Sequence, residues 1–315
     1  MPPSGKKPKI IVICGPTGVG KTAAAIDVAE EITGQIVSAD SMQVYRYMDV
    51  GTAKPTPLEQ KKIKHHMIDI VDPDEAFDAA RYSFLARKKI VELHSQNTIP
   101  FIVGGTGFYI KALLHGLFPS EPLATGVCNK LKDEAAAIGS ESLYERLAKV
   151  DPKTARRIHP HDTYRITRAL ETFEATGESI SKYQQDHQFS DTPFSFLKIG
   201  LTIPRELLYK RINQRVDAMI DAGFVDEVRT LLKMGYAADL KSMQAIGYRH
   251  VVAFIQGRLP WTETVRTFKR DTRRYAKRQL TWFGADPEIL WTEPARMSDM
   301  RTKIKEFLKA KNADC

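Results

Sequence analysis

The residues Gly15-Pro16-Thr17-Gly18-Val19-Gly20-Lys21-Thr22 follow an apolar run over 10–14 and open a helix-like stretch over 22–33. A strand, a glycine turn and a helix start coincide there. The spacing G-x-x-x-x-G-K-[ST] is that of a phosphate cradle. Successive backbone N–H groups and a helix N-terminus wrap the phosphate oxygens, Lys21 neutralises charge and the Thr22 hydroxyl ligates Mg²⁺. A polyphosphate ligand is expected. A glycine turn with a chance Lys leaves its placement between strand and helix unexplained.

A second chemical group lies on the next apolar run. In Val37-Ser-Ala-Asp40-Ser41-Met42-Gln43 the carboxylate of Asp40 falls just past a strand end, the edge where open α/β sheets collect ligands. Beside a phosphate cradle it is placed to act as a general base, whereas the competing reading makes it a helix or turn cap. Gln43 suits either a base edge or a loop cap. Asp49-Val-Gly51-Thr52-Ala-Lys54-Pro55 then forms a glycine-containing loop whose Lys suits a substrate better than a short core connection. A phosphate-transferring enzyme needs a second Mg²⁺-organising carboxylate and a group that holds water or an acceptor hydroxyl. The second strand delivers Asp40 instead.

The elements that must carry these groups follow from the pattern of apolar runs. Runs at 10–14, 35–39, 65–71, 100–104, 196–203 and 288–291 alternate with helical patterns, which predicts an α/β fold with a parallel sheet covered on both faces. The first crossover helix is expected to stop at a left-handed Gly34. Over 117–195 the strand signals vanish and helices at 142–150, 152–158 and 163–176 take over. The chain therefore divides into a cradle-bearing α/β core (1–116), a helical insertion (117–195) and a second core part (196–315). Helix 206–222 stops at Gly223, and a final long helix spans 262–283. On it Trp261, Val265, Phe268, Thr272, Tyr275, Gln279 and Trp282 form one stripe, and Arg266, Lys269, Arg270, Arg273, Arg274, Lys277 and Arg278 cover the rest.

A net charge of +9 and a pI near 9.3 point to an anionic partner beyond a small substrate, with nucleic acid the usual candidate. In the insertion Arg146, Lys149, Lys153, Arg156, Arg157, Arg165 and Arg168 stand against only Asp151 and Asp162, so RNA contact is expected there. Cys14, Cys128 and Cys315 are too dispersed for a zinc site or a disulfide framework. With no apolar leader and no long apolar run, a cytoplasmic protein without a membrane partner is expected. His65 and His66 point to opposite strand faces and make a poor metal pair. Asp72-Pro-Asp74-Glu75 reads as a solvated turn rather than a Mg²⁺ site, and His159 and His161 as structural groups or RNA-backbone donors.

Seven motifs in order, Gly15 to Thr22, Asp40-Ser-Met-Gln43, Asp49 to Pro55, Gly104-Gly-Thr106-Gly-Phe-Tyr109, Arg215 to Phe224, Ala245-Ile-Gly-Tyr248 and Lys277-Arg-Gln-Leu-Thr-Trp282, resemble those of the tRNA dimethylallyltransferase (tRNA isopentenyltransferase) family. Because no zinc-finger pattern follows Phe283, the resemblance is to the bacterial type. It implies transfer of a dimethylallyl group from dimethylallyl diphosphate to N6 of the adenosine 3′ of a tRNA anticodon. The cradle would then hold a leaving group.

By this resemblance Asp40 accepts the N6 proton, while Thr17, Lys21, Thr22 and Arg215, with Mg²⁺ as cofactor, hold the diphosphate. Asp40, Ser41, Met42, Gln43, Thr106, Arg278 and Gln279 would face the tRNA. Asp162, Thr163, Tyr164, Arg165 and Arg168 would contact the anticodon stem. The family Arg near 125–130 is missing, with Cys128 or Lys130 nearest its place. A monomer is expected. The rival readings are an adenylate isopentenyltransferase acting on free nucleotides and a P-loop ATPase or kinase-like RNA-binding protein. The insertion and the basic terminal helix favour tRNA over a free nucleotide.

Overall fold

A computed structural model describes residues 7–117, 125–187 and 191–310 of the chain. Contacts divide it into two compact units, one of Met1–Leu114 with Pro193–Cys315, the other His115–Thr192. Among the described residues the first unit holds a six-stranded sheet in the order β3-β2-β4-β1-β5-β6, every pairing parallel. The strands are β1 (Lys9–Cys14), β2 (Gly34–Ser38), β3 (His65–His66), β4 (Ile99–Gly104), β5 (Ser195–Leu201) and β6 (Ile289–Thr292).

Helices α1 (Lys21–Glu31), α2 (Pro57–Lys62), α3 (Ala79–Ser95) and α4 (Gly107–His115) connect the first four strands and leave β4. The second unit contains α5 (Thr125–Val150), α6 (Pro152–Ala155), α7 (Thr163–Thr176) and α8 (Ile180–His187). After β5 come α9 (Arg205–Asp221), α10 (Phe224–Lys233), α11 (Tyr248–Ile255) and α12 (Trp261–Gly284), then β6 and α13 (Met297–Lys309).

Near-continuous apolar strands produce the parallel sheet because crossover helices cover both of its faces. Ile10 to Ile13 of β1 are fully buried. On one face Ile11, Ile13, Phe101 and Ile199 pack with Ala25, Val28 and Ala29 of α1 and with Met300 and Ile304 of α13. The chain runs from β1 outward to β2 and β3, returns as β4 between β2 and β1, and continues to β5 on the far side. That reversal opens a crevice at the carboxyl ends of β1 and β4, where ligands of such sheets gather. The loops after β1, β2 and β4 all emerge there.

Four local expectations are corrected. The run 65–71 is a strand only over β3, because Met67 (φ 62°) and Asp69 (φ 55°) turn left-handed and end it. The left-handed residue after α1 is Thr33 (φ 52°), not Gly34. Gly34 already belongs to β2, where a Cβ would stand 2.6 Å from the Phe101 ring. Helix α12 is not the last, since α13 follows. Its buried face is Thr264, Thr267, Phe268, Ala276, Gln279 and Phe283, so Trp282 of the expected stripe is 47 % exposed.

In the second unit Leu131, Leu143, Leu147, Ile166, Ala169 and Leu170 form a small core of their own. Helix α5 begins well before residue 142 and kinks at Gly139 (φ 83°, ψ 164°). Asp151 caps α6 by accepting from the Thr154 N–H at 3.0 Å and also accepts from the Ser181 N–H at 3.0 Å. No helix among the described residues is long and apolar enough to cross a membrane.

Positions 33 and 34 separate backbone freedom from packing. Thr33→Gly is expected to be neutral or to stabilise by less than about 1 kcal/mol, since the left-handed conformation suits glycine. Gly34→Ala should cost about 1–3 kcal/mol by overpacking against Phe101. Urea unfolding of both variants measures the pair, and equal destabilisation would contradict the assignment.

Candidate active site

The cradle between β1 and α1 is built by backbone conformation before any charge enters. Gly18 and Gly20 adopt positive φ (79° and 102°), and Gly20 caps α1, so the turn directs N–H groups and the helix N-terminus toward the crevice. Lys21 folds over this turn and donates to the carbonyls of Gly15 at 3.0 Å and Pro16 at 2.8 Å. Burial, and next the neighbouring Arg215, pull its pKa down to about 8, with Asp40 opposing. Arg215, on α9, is likewise lowered by burial and held up by Asp40. The Thr22 hydroxyl has no protein partner among the described residues.

Asp40 stands at the end of β2. Its Oδ1 accepts the N–H of Met42 at 2.8 Å and of Gln43 at 3.3 Å, the turn-cap geometry expected of Asp. Capping and chemistry are compatible here, because the second carboxylate oxygen has no partner and no ion pair ties up the group among the described residues. Asp40, Ser41 and Met42 line a cavity of about 330 Å³ together with Thr17, Arg215, Tyr275 and Arg278. Its remaining walls are largely apolar and include Ile212, Val216, Met219, Ile246 and Phe268. One pocket thus joins a hydrocarbon-compatible wall to a carboxylate and three guanidinium groups, those of Arg215, Arg249 and Arg278.

The β4–α4 loop closes onto the same place. A Cβ on Gly104 would sit 2.1 Å from the Ala39 carbonyl oxygen, and one on Gly105 would sit 2.2 Å from Gln279 Nε2, so only glycine admits these approaches. Thr106 Oγ1 accepts the Ser41 N–H at 3.0 Å and donates to Ser41 Oγ at 3.4 Å. Gln279 is 6 % exposed. Its Oε1 accepts the Thr17 N–H at 2.8 Å and its Nε2 donates to the Gly105 carbonyl at 2.8 Å. An unpaired amide at this depth is costly, and both ends are bonded to protein backbone. Arg278 is exposed and lies over the Tyr275 ring at 5.7 Å; burial, and then Asp40, push the Tyr275 hydroxyl above the ordinary phenol range.

Other sequence candidates serve the protein itself. Gln43 donates to the carbonyls of Thr52 at 3.4 Å and Ala53 at 3.2 Å and accepts from Ser38 Oγ at 3.0 Å, which is loop capping. Lys54 does not reach out to a ligand. Its side chain is 4 % exposed and pairs with Asp49 and Asp69. His66 contacts Gln35 Oε1 at 2.7 Å and His65 the Ile63 carbonyl at 2.8 Å. Asp72 pairs with Arg46, and Glu75 with Arg81.

In the second unit Asp162 caps α7, accepting the Arg165 N–H at 3.2 Å. Thr163, Tyr164, Arg165 and Arg168 lie exposed on that helix, Tyr164 at 76 %. Arg165 pairs with Asp162 and Arg168 with Glu171, while Lys130 is exposed on α5. The Cys128 side chain and Cys315 lie outside the described residues.

Sequence reasoning missed two carboxylates. Asp271 gathers Arg249 at 2.8 Å, His250 Nε2 at 3.2 Å and Arg270 at 2.9 Å, and Glu227 binds the backbone of residues 49–51. Among the many charges of α10 and α12, nothing in spacing distinguishes an acid bonded across the fold from a solvated one.

A protein-family model described as "IPP transferase" matches residues 43–286. A tRNA dimethylallyltransferase of Desulfosudis oleivorans is 53 % identical over 304 residues, covering 96 % of this chain and 97 % of that protein. One of Geobacter sulfurreducens is 48 % identical, covering 96 % and 98 %. The crystal structure of the full-length tRNA isopentenylpyrophosphate transferase of Bacillus halodurans superposes with a TM-score of 0.73 at 38 % identity, covering 96 % of this chain and 97 % of that one. A eukaryotic dimethylallyltransferase acting on tRNA gives a TM-score of 0.81 at 26 % identity, covering 98 % and 82 %.

The lowered Lys21 pKa has a measurable sign. Between about pH 8 and 10.5 the unfolded chain holds a proton that the native state has released, so this group's contribution to stability rises with pH in that window. Anion binding needs the charged form. Diphosphate affinity attributable to Lys21, taken as the calorimetric difference between wild type and Lys21→Met, should be flat below about pH 7 and fall about tenfold per unit above about pH 8. A difference that is constant to pH 10 would place the lysine's titration elsewhere. With the cradle, the sheet order and the match over most of its length all in agreement, the chain belongs to the IPP transferase family.

Proposed function

We propose that this protein transfers a dimethylallyl group from dimethylallyl diphosphate to N6 of the adenosine adjacent, on the 3′ side, to a tRNA anticodon, releasing diphosphate. One observation carries the reading: the Asp40 carboxylate, free of ion pairs, faces the same cavity as Arg215 and an apolar wall. An exocyclic adenine nitrogen is a weak nucleophile because its lone pair is delocalised into the ring. It gains from a base and from a stabilised leaving group.

In the proposed step N6 attacks C1 of the dimethylallyl group as the C1–O bond breaks, and the bonding pair leaves with the diphosphate oxygen. Asp40 accepts the N6 proton. Arg215 spreads its donors over the oxygens where charge accumulates, and Thr17 and the 15–22 turn hold the departing anion. Ile212, Val216, Met219 and Phe268 exclude water from the hydrocarbon.

The donor set fits Mg²⁺ shared with a ligand. Thr22 offers a hydroxyl without a protein partner, and no group of three or more His, Cys, Asp or Glu among the described residues forms an all-protein cage. Mg²⁺ commonly takes one or two protein oxygens and completes its shell with phosphate and water. Bound at Thr22, the ion would neutralise diphosphate charge. Ser41, Met42, Thr106 and Arg278 are proposed to face the extruded adenosine. The exposed Tyr164, Arg165 and Arg168 are proposed to meet the anticodon stem. Gln279, bonded at both ends, contributes by fixing the cradle, and Gln43 by fixing the 48–54 loop. A cytoplasmic monomer is the proposed working form.

The decisive assay supplies dimethylallyl diphosphate and Mg²⁺ with tRNA, and separately with AMP. Mass analysis of tRNA nucleosides should find N6-dimethylallyladenosine, with AMP unmodified and no RNA-stimulated ATP hydrolysis. Prenylated AMP alone would favour the nucleotide-specific reading, and stimulated ATP hydrolysis the ATPase reading. Asp40→Ala should retain tRNA affinity while single-turnover transfer falls by roughly 10²-fold or more. Wild-type turnover in that variant would remove Asp40 from the step.

A further inference from the structure

We propose that Glu227 is a positioning residue for the prenyl pocket, gathering the backbone of residues 49–51 and the Tyr248 hydroxyl into one wall and thereby limiting the hydrocarbon length admitted. The inference rests on the transfer reading above. Glu227 Oε2 accepts the N–H of Asp49 at 2.8 Å and of Val50 at 2.6 Å. Oε1 accepts the Gly51 N–H at 3.1 Å and the Tyr248 hydroxyl at 2.6 Å. Four donors converge on one ionised group, an arrangement of charge-assisted bonds. Burial, followed by the charge of Glu227, pushes Tyr248 well above the phenol range, so its hydroxyl remains a donor.

Gly51, Thr52 and Tyr248 line the cavity, whereas Glu227 does not. It acts through them. The wall has little slack, since a Cβ on Gly51 would stand 2.1 Å from the Phe224 ring and 2.6 Å from that of Tyr248. Those two rings meet edge to face at 4.9 Å, and Phe224 contacts the cavity-lining Phe268 at 5.8 Å. From the other side Gln43, in the turn that carries Asp40, holds the Thr52 and Ala53 carbonyls, and Thr52 Oγ1 donates to the Met48 carbonyl at 2.6 Å. The loop is thus fixed between the turn bearing the base and the α10 carboxylate.

Glu227→Gln keeps side-chain size but turns an NH₂ group toward N–H donors. On the full chain with saturating tRNA, kcat and KM are measured with dimethylallyl diphosphate and with the ten-carbon geranyl diphosphate. The expected result is a KM for the five-carbon donor raised about tenfold, as for loss of a charged acceptor, with preference over the ten-carbon donor falling by a similar factor. The KM for tRNA should stay within about twofold, since no RNA group is involved. Tyr248→Phe, which removes one donor of four, should shift preference in the same direction by less.

A lower Tm with unchanged KM and preference would make Glu227 purely structural and overturn the proposal, as would a parallel fall with both donors. If Glu227→Gln does not fold, Tyr248→Phe carries the test, and wild-type preference there overturns it. Transfer by the wild type with an unaltered variant sinks this inference alone. No transfer by the wild type from either donor sinks the proposed function and this inference with it.

Discussion

A single buried amide joins the parts that must meet. Gln279 of α12 bonds the Thr17 N–H of the phosphate turn and the Gly105 carbonyl after β4, locking three segments distant in sequence into one geometry. Leaving either partner unpaired at this depth would cost about 1–3 kcal/mol, so the joint is specific as well as stabilising. It also explains the glycine at 105, since a side chain there would occupy the space of the amide.

Around that joint the charges are arranged without being spent on one another. Lys21 rests on two carbonyls of its own turn, Arg215 is partly desolvated beside Asp40, and Asp40 bonds only backbone N–H groups. Concentrating positive charge where water is scarce is unfavourable, which the lowered Lys21 pKa of about 8 expresses. A diphosphate would relieve that cost on entry.

Other polar residues near the pocket stabilise its shape. Lys54, Gln43 and Glu227 all fasten the 48–54 loop, by ion pairs to Asp49 and Asp69, by bonds to the Thr52 and Ala53 carbonyls, and by a carboxylate under residues 49–51. Asp271 does the same between α11 and α12, with Arg249, His250 and Arg270 on one acid. The basic face of α12 is accordingly less free than its composition suggests. Arg273 bonds Asn213 at 2.7 Å and Lys269 pairs with Asp217, whereas Lys277 and the exposed Arg278 pair with no carboxylate among the described residues.

Local pattern alone determined the parallel α/β class, the helical second unit, the cradle and the place of Asp40 at a strand end. Each depends on short-range rules, namely apolar runs of strand length, turn chemistry and the covalent spacing of glycines before a lysine. Tertiary structure decided what each polar side chain faces. Gly34 rather than Thr33 seemed the left-handed stop, because the Phe101 ring that demands a glycine in β2 lies more than sixty residues away. Lys54 read as a ligand group, Gln43 as either a base-reading amide or a loop cap, and Glu227 as nothing, for one physical reason: a hydrogen-bond partner across the fold leaves no trace in local spacing. Only the closed chain sets those distances.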